Sequence, residues 1–313
     1  MKVLVWLAIS ICICNCYFVP ITHNLVSEIK EKATTWVPYE IDENPFASRS
    51  PLQLLAMFGS HRSKSNDYKK PTTIDDAGLE DIPEEFSALK QWKDCMLPVI
   101  DQELCGADWA LTAVEILTER FCIQSNGTKK VEMLSVNDVL SCDFDDWGCS
   151  GGYPEQAWEF IQGQGVVTEE CFPFKSKDGH REKCPFSKCV GDNEEAEYKK
   201  YYSMDTLFFY NDTKIQQEIL KNGPVHTEFD VYSDFLNYKS GIYQHVSGGR
   251  LGFYSAKIVG WGVDKSTNTP YWLASSSFGS SWGEKGYFRI LRGSNHCNFE
   301  NNAMAGSADF NRP

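Results

Sequence analysis

The sequence predicts an α+β fold, with helices toward the N-terminal side and strands in the C-terminal third. Three observations carry that expectation. Between Ala107 and Cys122, apolar Trp109, Leu111, Ala113, Val114, Ile116 and Leu117 alternate with Thr112, Glu115 and Glu119 in a helical pattern. Further on the period shortens to the runs Lys257–Val263, Tyr271–Ala274 and Gly286–Arg292, divided by Gly, Asn, Ser and Pro. Helices first and strands afterwards mark the segregated class. The third observation is size: 313 residues with 42% apolar content can bury a core in one large domain or two lobes.

In chain order, Lys2 precedes an apolar run, Val3 to Cys14, too short to span a bilayer and placed where a secretory signal belongs. Cleavage is expected near Cys16, which makes 1–16 a signal peptide. Leu25 and Ile29, four apart in a Ser/Glu/Lys-rich stretch, predict an amphipathic helix ending at Trp36. A second apolar cluster covers Leu52 to Phe58. Polar residues around it, including Ser60 to Thr73, read as extended linker. Thr213 to Asn222 reads as a helix opened by the capping pair Thr213 and Gln216 and closed by Gly223-Pro224.

A net charge of -13, from 43 acidic and 30 basic side chains, argues against nucleic acid and an anionic membrane surface as partners. Of twelve cysteines, Cys12, Cys14 and Cys16 fall in the signal. The rest, in an exported chain, are expected in disulfides with one thiol over. Cys142 with Cys149 and Cys184 with Cys189 lack Cys-x-x-Cys spacing and nearby histidines, so no metal is expected, nor any cofactor. Asn126-Gly-Thr128 and Asn211-Asp-Thr213 are candidate glycosylation acceptors.

The stretch Gln102-Glu-Leu-Cys-Gly-Ala-Asp-Trp109 resembles the nucleophile segment of papain-like cysteine peptidases, which reads Cys-Gly-Ser/Ala-Cys-Trp. Asp108 stands where that family's attacking cysteine belongs. From Ile82-Pro-Glu-Glu-Phe86 onward the chain resembles the cathepsin B branch, giving a peptidase-homology domain over 82–313. Residues 17–81, through Leu25-Val-Ser-Glu-Ile-Lys-Glu-Lys-Ala-Thr-Thr-Trp36, resemble its short propeptide, which lies through the cleft of such relatives until it is cut away. The resemblance implies a papain-like two-lobed fold, a helical left lobe and a β-barrel-like right lobe meeting at a cleft, in a monomer. It also implies the disulfides Cys95 with Cys122, Cys105 with Cys149, Cys142 with Cys184, and Cys171 with Cys189, with Cys297 a free, buried thiol. At roughly 2 to 4 kcal/mol per bridge, that framework holds a fold whatever the cleft does.

Papain-type chemistry needs a thiolate at a helix start, an imidazole from the opposite lobe and an amide to orient the imidazole. Gln102 keeps the oxyanion-donor position. Counting back from Gly260-Trp-Gly-Val263 puts Tyr254 on the histidine position, and Ser276 takes the orienting asparagine's place, with Phe278 for its shielding tryptophan. A phenol with a pKa near ~10 is no general base at neutral or acidic pH. By itself Asp108 reads as a helix cap contributing ~0.5 to 2 kcal/mol.

Gly151-Gly152-Tyr153-Pro154 matches the family's peptide-pairing glycine strip, and equally a tight turn after Cys149. Asn302 falls at the base of the second specificity pocket, where cathepsin B is acidic. The segment Cys171 to Cys184 is much shorter than the cathepsin B occluding loop and keeps only His180, which excludes exopeptidase action. Asp143, Asp145 and Asp146 read as a solvated acidic turn, and His226, His245 and His296 as isolated structural or surface residues. The expectation is an inactive cathepsin B-like homologue, secreted or endolysosomal, that binds peptides, protein partners or cystatin-type inhibitors. The alternative is residual or altered cysteine-type hydrolysis.

Overall fold

A computed structural model of the protein describes residues 20–62, 82–193 and 196–312. The expected signal peptide and the polar stretch beyond Arg62 lie outside the described residues. In chain order the regular elements are α1 (His23–Lys32), β1 (Trp36–Pro38), α2 (Pro51–Ala56), β2 (Phe86–Ser87), α3 (Ala88–Gln91), α4 (Asp108–Gln124), α5 (Val136–Cys142), α6 (Pro154–Gly163), β3 (Leu207–Phe209), α7 (Asp212–Asn222), β4 (Val225–Tyr232), β5 (Tyr238–Tyr243), β6 (Arg250–Asp264), β7 (Thr269–Ser275), β8 (Tyr287–Leu291) and β9 (Ala303–Ala305). Helices thus dominate the first half and strands the second, the α+β arrangement expected.

The helical lobe is built around α4, which is buried along nearly its whole length, polar Thr112, Glu115, Glu119 and Arg120 included. Its apolar residues join Val139 of α5 and Trp158 and Ile161 of α6 in one core. The second core lies on the sheet, whose strands run β1-β5-β8-β7-β6-β4-β9-β3 with β2 added on β6. Neighbours pair antiparallel except β5 with β8. Register between β4 and β6 sets Phe229 opposite Tyr254 and Glu228 opposite Ser255.

The N-terminal region is part of this second core. Ile29, Trp36, Phe46, Leu54 and Met57 pack with Phe235, Tyr254 and Trp282. Here the structure corrects the sequence reading: α1 stops at Lys32, not Trp36, because Ala33 turns extended and Thr34-Thr35-Trp36 favours a strand. Trp36 then donates its indole N–H to the Gln244 carbonyl at 2.9 Å. Ser60 is no linker residue either, being buried at 3% exposure.

Two further corrections concern helix starts. Asn211, rather than Thr213, caps α7, accepting from the Lys214 N–H at 2.9 Å. Asp108 makes no side-chain cap on α4, whose capping position is Ala107. All four implied disulfides are present, Cys95–Cys122, Cys105–Cys149, Cys142–Cys184 and Cys171–Cys189. Cys297 is free and only partly buried, with its thiol pushed well up by desolvation.

Candidate functional site

Where α4 starts, its first residue faces β6 across the junction of the two cores. Asp108 is fully buried and its carboxylate accepts three hydrogen bonds. The Gly59 N–H donates to Oδ1 at 2.7 Å, the Ser60 hydroxyl to Oδ2 at 2.6 Å, and the Ser255 N–H to Oδ2 at 2.8 Å. Two of the three donors therefore belong to the N-terminal segment. Desolvation raises the carboxyl to about 6 against the pull of these donors.

The other sequence-predicted residues gather around the same point. Gln102 spends its side-chain N–H on the Met57 carbonyl at 2.6 Å, and its oxygen accepts from the Ser277 hydroxyl. The Tyr254 hydroxyl lies 2.7 Å from Ser277 Oγ and accepts from the Ser277 N–H at 2.7 Å. Its ring stacks on Phe278 at 4.5 Å between centroids. Burial moves its phenol far above the ordinary value. Ser276 does not reach Tyr254: its hydroxyl donates to the Gly286 carbonyl at 2.9 Å and accepts from the Phe278 N–H.

The glycine strip holds a peptide, and that peptide is the chain itself. The Gly152 N–H donates to the Gly59 carbonyl and the His61 N–H to the Gly152 carbonyl, both at 2.9 Å. Absence of side chains makes this approach possible. A Cβ on Gly59 would lie 1.9 Å from the Gly106 carbonyl oxygen, and one on Gly151 2.3 Å from the His61 ring. Pro154 contributes only as the first residue of α6.

Beyond His61, Arg62 donates from Nε to Glu228 at 2.6 Å and sits 4.3 Å over the Phe253 ring. Asp230 is 3.5 Å from the guanidinium, and Asn302, its oxygen turned inward, accepts from Arg62 at 3.1 Å. Asn302 therefore sits beside a cluster in which Glu228 and Asp230 face the Arg62 guanidinium, with Arg250 pairing to Asp230 from its other side. Burial raises Glu228 to about 7 in spite of Arg62 beside it.

The three histidines read as structural or surface residues are structural, and two of the three aspartates read as solvated are buried. His226 is buried between Trp158 and Ser255, and Asp234 binds both His245 and the Val246 N–H. The His245 backbone N–H in turn donates to His296 Nε2 at 2.8 Å. Asp143 and Asp146 are buried, and Asp146, raised to about 8 by desolvation and then by Asp143, accepts from the Tyr153 N–H. Lys257 of β6 crosses to α4, 2.5 Å from Glu119 and 3.5 Å from Glu115. Asp145 is exposed, as a solvated turn requires, and so is His180, paired with Asp178. Sequence reasoning missed Gly59, Ser60, Arg62, Glu228, Asp230 and Ser255. A glycine beside a serine, directly after an apolar run ending at Phe58, was the available signal.

The sequence profile described as "Papain family cysteine protease" matches residues 82–307. A "Cathepsin B-like cysteine proteinase" of Schistosoma japonicum is 36% identical over 322 aligned residues, 92% of this chain and 91% of the relative. A "Cathepsin B-like cysteine proteinase 5" of Caenorhabditis elegans is 39% identical over 77% of this chain and 78% of its own. Among solved structures, "proCathepsin B S9 from Trypanosoma congolense" superposes with a TM-score of 0.85 at 27% identity, covering 93% of this chain and 99% of that one. Both the two-lobed fold and a bound N-terminal segment agree with that proform.

Proposed function

This chain belongs to the papain family of cysteine proteases, as a cathepsin B-like homologue, and from that premise we propose that it holds peptide in its cleft without cutting it. One observation carries the proposal. At the family's nucleophile position stands a buried Asp108 carboxylate bonded to Gly59, Ser60 and Ser255, and the facing position offers the Tyr254 phenol, tied to Ser277, in place of an imidazole. In a serine protease, loss of the nucleophile or the base alone costs about a millionfold in turnover, roughly 8 kcal/mol of barrier. Gln102 supplies no compensation, since its donor is already engaged by Met57.

The proposed partners are peptides, other proteins and cystatin-type inhibitors, met by a monomer in a secreted or endolysosomal setting. An external occupant must displace residues 59–62, which pair with the glycine strip and with Glu228 and Asp230. Asn126 and Asn211 remain proposed glycosylation sites. The second reading, residual or altered hydrolysis, is favoured only by the retained Gln102 and cleft shape. The deciding experiment is an assay of the processed protein with fluorogenic dipeptide substrates from acidic to neutral pH. No turnover is expected; hydrolysis that Asp108→Ala abolishes would overturn the proposal.

A further inference from the structure

We infer that Asp108, at the changed nucleophile position, forms with Ser255, Glu228 and Asp230 a docking seat for a Gly-Ser-x-Arg peptide, whose resident ligand is the chain's own Gly59-Ser60-His61-Arg62. This deepens the peptide-holding reading and rests on it. The backbone bonds between Gly152 and residues 59 and 61 accept any sequence, so selectivity must come from the side chains around them.

Serine at the second position is read by a chain of directed hydrogen bonds. Trp158 donates its indole N–H to His226 Nδ1 at 3.3 Å, which assigns the ring proton to Nε2. His226 Nε2 then donates to Ser255 Oγ at 2.7 Å, Ser255 to Ser60 Oγ at 2.7 Å, and Ser60 to Asp108 Oδ2 at 2.6 Å. Each hydroxyl accepts once and donates once, and the chain ends on an acceptor. Alanine at position 60 breaks it between two buried groups. A cysteine at position 108 gives the donors a far weaker acceptor.

Glycine is read by sterics, through the backbone of Gly106 lying against Gly59. Arginine is read by Glu228, Asp230, Asn302 and the face of Phe253. On the N-terminal flank, Phe58 packs edge-on against Tyr254 and Phe278, at 6.0 and 6.2 Å between centroids. Asp108 thus holds the segment itself, while Tyr254 and Phe278 hold only its N-terminal flank at Phe58 and Ser276 bonds to Gly286 away from it. Because the ligand is tethered, its effective concentration is on the order of millimolar or higher, so a free peptide competes poorly until residues 59–62 are displaced.

The test is amide hydrogen exchange on the intact chain at neutral pH. Protection is expected at Gly59, His61 and Gly152. Ser60→Ala and Asp108→Ala should each speed exchange there by ~10-fold or more, and the double variant no more than the larger single. Asp108→Cys should loosen the segment likewise, while unchanged exchange in α4 and β7 reports an intact fold. Arg62→Ala, on the segment itself, carries the test should Asp108 variants misfold. Unprotected amides in the unaltered chain, unchanged exchange in the variants, or additive effects of Ser60 and Asp108 overturn the inference. Peptidase activity, read separately, bears on the proposed function and not on this docking.

Discussion

His226 Nε2 and Ser255 Oγ lie 2.7 Å apart, and the bond runs from the ring to the hydroxyl. A serine nucleophile requires the opposite direction, with an imidazole nitrogen accepting the hydroxyl proton. Burial also holds the ring neutral, lowering it to about 3. We expect a fluorophosphonate probe to leave Ser255 unlabelled, as read by mass spectrometry. Labelling lost in Ser255→Ala would show that the histidine does act as a base.

Restoring the thiol alone does not restore the enzyme. In Asp108→Cys the sulfur faces the backbone N–H of Ser255 and the hydroxyl of Ser60, and the neighbouring Tyr254 ring remains stacked in the aromatic core. Turnover of dipeptide substrates should stay at background, measured beside an active cathepsin B-like relative. Substantial activity in this single variant would mean that a base reaches the cleft after all.

Lys257 is buried with Glu119 and Glu115, whose remaining oxygens have no other partner. Lys257→Met should cost ~3 to 5 kcal/mol in chemical denaturation, because two carboxyls stay behind without their cation. Burial already raises Glu115 to about 7, so protonation relieves part of that loss at acidic pH. A loss that is equal at acidic and alkaline pH would contradict this account.

Stability should fall as pH rises toward 8. Desolvation raises Glu115, Glu169 and Glu228 to about 7 and Asp146 to about 8. Each keeps its proton in the folded chain after the unfolded chain has lost it, so its contribution is present at low pH and is lost as pH climbs through the folded value. His226 acts oppositely, but only below roughly pH 6.5, where the unfolded ring gains a proton. The carboxyls together outweigh that single ring. Thermal midpoints should therefore decline between roughly pH 5 and 8, from above the unfolded carboxyl values to the folded ones, and Asp146→Asn should flatten the decline. A midpoint that rises across this window would reverse the assignment.

How much of this was legible depended on which forces fixed each element. The apolar period of α4 and the β6, β7 and β8 runs could be read directly, and the cysteine pairs followed from resemblance. Strand β4 could not, because His226, Glu228 and Asp230 look solvent-facing and are buried only through partners distant in sequence. Asp108 was visible as an oddity. Its role was not, since a helix-start aspartate caps by default and its true donors lie 48 and 49 residues back and 147 ahead. The run after Phe58 carried too few apolar groups to suggest burial, and hydrogen bonding rather than hydrophobicity places it.

The strand β1 closes one border of the sheet, pairing Trp36 with Gly241 and Val37 with Ser240 of β5. Its indole packs against Tyr238 and Tyr243. Trimming the N-terminal region would do more than vacate the cleft. It would bare a row of unpaired backbone groups beside two aromatic rings, a surface that another extended chain can complete. Maturation would turn a self-satisfied molecule into one with an adhesive flank, and the crowding of its surroundings would then govern whether trimmed copies stay apart.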